Sequence, residues 1–173
     1  SNGGGAYAYL SDISMKRCFI VNNISSSSYG GGGVCSYGYT HDRTNGYLYS
    51  LELENCLLEG NISEYCGGAI NNQYGNMNLS HCTIINNEAA TYGGAVFNVH
   101  GDDAVLKINH SIVWNNEPEE IKAYNDRTDF IEVSYCDIEQ DGTDAWPGTG
   151  NINAEPGFIW WWHVPTNSPC YET

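Results

Sequence analysis

The stretch CTIINNEAATYGGAV, residues 82–96, decides the fold. It runs from a thiol through two apolar residues to an Asn pair, then through a short polar link to Gly-Gly-Ala-Val. Nothing in it has the pattern of a catalytic motif, and it recurs in MKRCFIVNN (15–23) and INHSIVWNN (108–116). Recurrence at intervals of about 20–50 residues marks a repeat architecture, in which each unit buries its apolar face only against its neighbours.

Working outward, five eleven-residue segments align without gaps: ISMKRCFIVNN (13–23), LELENCLLEGN (51–61), MNLSHCTIINN (77–87), LKINHSIVWNN (106–116) and IEVSYCDIEQD (131–141). The first and third columns are apolar (Ile13, Leu51, Met77, Leu106, Ile131; Met15, Leu53, Leu79, Ile108, Val133), with polar residues between them. That alternation predicts a strand with one buried face. Columns six (Cys18, Cys56, Cys82, Ser111, Cys136) and eight (Ile20, Leu58, Ile84, Val113, Ile138) also read as inward. Because parity shifts by one between columns three and six, a bend is expected there. Column ten (Asn22, Gly60, Asn86, Asn115, Gln140) falls on the inward parity, where a lone carboxamide is costly to bury. Stacked at the ~4.8 Å spacing of parallel strands, the amides of Asn22, Asn86 and Asn115 are expected to bond one another into a ladder. Upstream of each segment lies GGAY (4–7), GGVC (32–35), GGAI (67–70), GGAV (93–96) or the degenerate EIKA (120–123), read as a Gly-Gly turn into another short strand. Irregular coils of this length predict a solenoid with three strands per turn, and no strict six-residue period supports a left-handed helix.

On these residues the chain resembles a right-handed parallel β-helix repeat protein of the secreted bacterial kind. GGAI, GGAV and FIVN (19–22) resemble the GGA[ILV] and FxxN repeats of polymorphic outer-membrane (autotransporter) proteins. GTGNINAEPGF (148–158), followed by SPC (168–170), is similar to the segment that closes secreted β-helix proteins, a GNI-x-A-D-P-x-F stretch with a terminal SPCID motif. Here Glu155 replaces the usual Asp, and YET follows SPC. The resemblance implies an all-β, right-handed parallel β-helix of about five coils over residues 1–145, with an insertion at 37–49, and an irregular C-terminal cap over 146–173. It leaves activity open, because this fold carries lyases, hydrolases, adhesins and passive surface proteins alike.

Composition narrows the partners. With 21 Asp+Glu against 6 Lys+Arg the net charge is −15, which repels nucleic acid and anionic lipid and favours cations. No apolar run is long enough to span a bilayer. Seven cysteines are many for a reducing compartment, yet an odd number cannot all pair within the chain. Together with a start at SNGGGAY, they suggest a processed piece of a longer secreted precursor, extracellular or on the cell surface. Cys56 and Cys82 would stack within disulfide range, but inward thiols also pack as small hydrophobes, and that reading leads. Cys35, Cys66 and Cys170 lie outside the column and are expected to oxidise first.

Candidate sites are sparse. Asp102 and Asp103 in GDD (101–103) resemble part of the carboxylate set of polygalacturonases, but no NTD, GHG or RIK motif accompanies them. A pectate-lyase arrangement needs clustered calcium-binding Asp plus an Arg base, and Arg17, Arg43 and Arg127 are scattered. No catalytic residue is therefore assigned and no cofactor is expected. Calcium is the one cation with a pattern, DIEQDGTD (137–144), through Asp137, Glu139 and Asp141, with Asp137 and Glu139 pointing outward. His81 and His110 share column five but lack a third ligand. Sequons at Asn23, Asn61, Asn78 and Asn109 offer glycosylation sites.

The outward columns seven and nine are the anomaly. Phe19, Val21, Leu57, Ile85, Ile112 and Trp114 form an apolar stripe, to be covered by the segment holding Trp160, Trp161 and Trp162 or by a neighbouring molecule. The tyrosine-rich 37–49 insertion adds a surface suited to sugar stacking or protein contact. The leading expectation is a non-catalytic extracellular structural or adhesive protein that self-associates into an oligomer or filament by coil-end stacking and through the stripe. The alternative is a module that binds or degrades polysaccharides, with surface glycans as partners.

Overall fold

The computed structural model describes residues 3–38, 48–99, 104–159 and 163–170. The first coil holds β1 (Ala6–Tyr9), β2 (Ile13–Lys16), β3 (Phe19–Val21) and β4 (Ile24–Ser25). The second holds β5 (Val34–Tyr37), β6 (Ser50–Glu54), β7 (Leu57–Glu59) and β8 (Ile62–Ser63), and the third β9 (Ile70–Gln73), β10 (Asn76–Ser80), β11 (Thr83–Ile85) and β12 (Glu88–Ala89). Then follow β13 (Val96–Val99), β14 (Leu106–Asn109) and β15 (Ile112–Trp114), and finally β16 (Ile121–Ala123), β17 (Ile131–Ser134) and β18 (Asp137–Ile138). Equivalent strands pair in parallel, in the orders β1-β5-β9-β13-β16, β17-β14-β10-β6-β2, β18-β15-β11-β7-β3 and β12-β8-β4. The protein is an all-β parallel solenoid of about four turns.

Register follows the gapless alignment. Column one pairs as Ile13↔Leu51↔Met77↔Leu106↔Ile131, and column eight as Ile20↔Leu58↔Ile84↔Val113↔Ile138. These columns, with Leu53, Leu79 and Ile108, fill a single core running the length of the described coils. Each fully buried Leu or Ile contributes about 1.5–3 kcal/mol relative to exposure.

Three readings need correction. The short strands β4, β8 and β12 form a fourth sheet, so the first coils have four faces rather than three. The Gly-Gly elements pair as Ala6↔Val34↔Ile70↔Val96↔Ile121, which slides GGAY and GGVC by one residue, and EIKA by two, against GGAI and GGAV. The glycine at the second position of GGAI is required by close approach: a Cβ on Gly68 would lie 2.3 Å from the Gly94 carbonyl oxygen.

The third correction concerns the amide ladder. Asn22, Gly60, Asn86 and Asn115 turn the corner in the left-handed region (φ 55°, 60°, 55° and 56°) and lie at or near the surface. A left-handed residue reverses side-chain parity, so it is the next column, Asn23, Asn61, Asn87 and Asn116, that carries the ladder. Amide Nδ2 groups donate to the next coil's Oδ1 at 2.9 Å (Asn23 to Asn61), 2.9 Å (Asn61 to Asn87) and 2.8 Å (Asn87 to Asn116). Glu120 ends the ladder, accepting from Asn116 Nδ2 at 2.5 Å and from its backbone N–H at 3.0 Å. Asn86 and Asn115 bond each other on the outside, at 2.6 Å.

The expected bend between columns three and six follows the same rule. Arg17, Asn55, His81, His110 and Tyr135 of column five have φ between 47° and 55°. In both corners the following side chain reaches back to the carbonyl two residues before it: Cys82 Sγ to Ser80 (3.3 Å), Ser111 Oγ to Asn109 (2.8 Å), Asn87 Nδ2 to Ile85 (2.9 Å). It also accepts a backbone N–H from the preceding coil, as Ser111 Oγ does from Cys82 and Asn87 Oδ1 from Asn61. Columns six and eleven therefore demand a small side chain that both donates and accepts, and Cys, Ser and Asn fit.

The C-terminal segment imitates a further coil. Thr149 and Ile152 bridge to Ser134 and Asp137, and Gly150 takes the left-handed corner (φ 70°) over the Tyr135 ring. Asn151 Oδ1 accepts the Cys136 N–H at 3.0 Å, as a column-six residue must, while its Nδ2 donates to Val133 and Trp146 carbonyls. Asn153 Nδ2 donates to the carbonyls of Gln140, Gly142 and Asp144, each at 3.2 Å. SPC pins the tail: Ser168 Oγ donates to the Pro156 carbonyl and Cys170 Sγ to Asp137 Oδ2, both at 2.7 Å.

Candidate functional site

The residues singled out from sequence do not converge. Asp137 is buried rather than outward, because the tail lies over it: its carboxylate accepts from Ala154 N–H and the Cys170 thiol. Glu139 accepts the Asn115 N–H at 2.6 Å, and Asp141 stands exposed. No group of three or more His, Cys, Asp or Glu able to hold a metal occurs among the described residues. His81, His110 and Tyr135 instead stack face to face, with centroids 5.0 and 5.2 Å apart.

Of the sequons, Asn61 is 0 % exposed and committed to the ladder, and Asn23 is half-buried and bonded to it. Asn78 is exposed and Asn109 half-buried. All seven cysteines are free thiols. Burial pushes Cys82 up to about 12 and Cys136 up to about 11, so these two thiols stay protonated and serve as donors. Cys35 and Cys66 are buried as well.

The apolar stripe is covered unevenly. Ile85 is 1 % exposed, and it shares a cleft with Trp114 and with Glu155 and Phe158 of the C-terminal segment. Val21, Leu57, Ile112 and Trp114 are half-buried, whereas Phe19 is 81 % exposed. Asp102, Asp103, Arg43, Trp160, Trp161 and Trp162 and most of the 37–49 insertion lie outside the described residues.

What the structure assembles is a cleft of about 450 Å³ on the outer face of the sheet holding β5, β9, β13 and β16. Because side chains alternate along a strand, Ile70 and Val96 point into the core while Asn71, Gln73, Phe97 and Val99 point out and form the floor. The walls come from the connection entering each strand. Tyr29, Tyr65 and Tyr92 precede the glycine-led strands of successive coils, and Tyr74 and Tyr124 close the ends. Tyr92 stacks on Phe97 (6.2 Å, 19°), and Lys122 Nζ lies 5.7 Å from the Tyr92 centroid while bound to Asp126 at 2.6 Å. Asn71 is 1 % exposed, and its carboxamide oxygen finds no partner among the described residues. The sequence carries the signal in YGGGG (29–33), YCGG (65–68) and YGG (92–94), a tyrosine just ahead of each glycine run, which a reading focused on the glycines passes over.

A second, acidic cleft holds Glu117, Glu119, Glu120, Glu139 and Trp146. Burial pushes Glu120 up to about 8 against the hydrogen bonds from Asn116, with Glu139 adding to the rise. Its position at the end of the ladder accounts for it as a structural acceptor.

Comparison with protein families, with curated proteins and with solved structures finds no match for this chain. No helix among the described residues is long and apolar enough to cross a membrane.

Proposed function

We propose that this chain is a non-catalytic adhesive module acting outside the cell, a rigid solenoid that presents a ring-lined cleft to its partner. The observation that carries this reading is the recurrence of a wall tyrosine, Tyr29, Tyr65 and Tyr92, just ahead of the glycine-led strand in three successive coils, with Tyr92 one position later than Tyr65 because it pairs with Cys66. Three successive coils thus each add a ring to the same cleft, which is how a repeat protein enlarges a contact face. Catalysis is disfavoured because the cleft's one carboxylate among the described lining residues, Asp126, is tied to Lys122, leaving no acid–base pair over the floor. The likeness to polymorphic outer-membrane repeats is in keeping with a surface role.

Beads coated with the chain test this. They should be retained on at least one surface from a panel of immobilised glycans, glycoproteins and matrix proteins, and lose retention when coated with the Tyr65→Ala/Tyr92→Ala variant. Retention on none, or release of reducing ends from pectin, alginate or a neutral glycan, overturns it.

Self-association is a second reading, favoured by the exposure of Phe19 (81 %) and Ile24 (65 %) on the first coil. Side-by-side contact through that patch predicts a dimer that Phe19→Ser abolishes in sedimentation. Head-to-tail stacking has less support, since Asn151 and Asn153 occupy the hydrogen-bonding groups of the last coil.

A further inference from the structure

We propose that the tyrosine-lined cleft is a binding site for a neutral glycan laid along the solenoid axis. The inference rests on the adhesive reading and names the chemistry of its ligand. Rings on walls and floor offer apolar faces to the C–H faces of pyranose rings, and the coil repeat of about 4.8 Å is close to the length of one sugar residue. A glycan in this direction can therefore set successive residues against successive coils.

The floor makes the choice among ring-seeking ligands. The Asn71 carboxamide oxygen is buried and without a hydrogen-bond partner among the described residues, and a buried acceptor left unpaired is costly. It lies on β9, between Phe97 of β13 and Cys35 of β5 in register. A sugar hydroxyl supplies the missing donor once the carboxamide turns to bring its oxygen, closed to solvent in the free chain, to the cleft. A proline-rich peptide, the other common occupant of tyrosine-lined grooves, lacks N–H groups at its prolines and offers far fewer donors than a sugar, which carries several hydroxyls on every residue. Polyanionic glycans are disfavoured by the net charge of −15 and by Lys122, whose ammonium is already taken by Asp126. The volume suits a short segment of chain, within the usual range of about 300–1,000 Å³ for small-molecule sites.

Calorimetric titration of the intact chain with short neutral gluco-, manno- and galacto-oligosaccharides, and with oligogalacturonides of matched length, tests this. At least one neutral series should bind, weakened about tenfold by Asn71→Leu and abolished by Tyr92→Ala, with Tyr65→Ala as a second wall variant should Tyr92→Ala melt early. Binding of none, binding of oligogalacturonides alone, or binding indifferent to all three substitutions overturns the proposal. If coated beads are still retained through the tyrosines while no neutral oligosaccharide binds, the glycan assignment falls and the adhesive reading stands. If oligosaccharides bind but beads are never retained, it is adhesion that falls.

Discussion

At the scale of the residue, neighbours in the Asn-Asn pairs do opposite work. Asn86 turns the chain in the left-handed region, a task glycine performs at Gly60, while Asn87 bonds to the coils on both sides. Asn86→Gly should change stability by less than about 0.5 kcal/mol. Asn87→Ala strands several buried backbone and amide groups and should cost about 3 kcal/mol or more. Urea unfolding of the two variants checks this, and equal losses would place the ladder wrongly. Glu120 gives a pH test. Below pH 4.5 the folded and unfolded chains both hold its proton; between there and about 8 only the folded chain does, so the group lowers stability progressively across that window. Glu120→Gln, close in shape to the protonated acid, should gain in melting temperature over the native chain as pH rises from 5 to 8. A difference independent of pH would contradict the assignment.

At the scale of the element, the strands were legible because their apolar alternation has period two and their partners lie at fixed offsets in the chain. The parity of column ten was not. Alternation carries a prediction only through extended backbone, and a single left-handed residue inverts it, so Asn22, Asn86 and Asn115 fell outside and Asn23, Asn61, Asn87 and Asn116 inside. The stripe misled in part for another reason: Ile85 lines its cleft together with Phe158, far along the chain and in no repeat, a juxtaposition that periodicity does not carry. The corner columns yield a prediction of their own. Since column six asks for a donor-acceptor side chain, Cys82→Ser should be tolerated, whereas Cys82→Ala should lose about 1–3 kcal/mol. Iodoacetamide at pH 8 should leave Cys56, Cys82 and Cys136 unmodified until urea unfolds the coils, and mass spectrometry reads this directly. In the cap, Asn151→Ala removes the acceptor for the Cys136 N–H and should speed amide exchange in β17 and β18 while leaving β10 and β11 protected.

At the scale of the whole molecule, the solenoid gives each face a different task. The core is continuous along the described coils, the C-terminal segment closes the last coil and covers part of the stripe, and the glycine-led strands carry the rings. A high negative charge keeps such a body away from polyanions while leaving a neutral ligand unopposed. Hydrogen–deuterium exchange of the chain, free and bound to a surface that retains it, tests the central claim most directly. The account predicts new protection confined to residues 28–29, 65–74, 92–99 and 122–126, the segments that line the cleft. Protection concentrated instead on residues 19–24 and the remaining stripe, with the cleft segments unchanged, would contradict it.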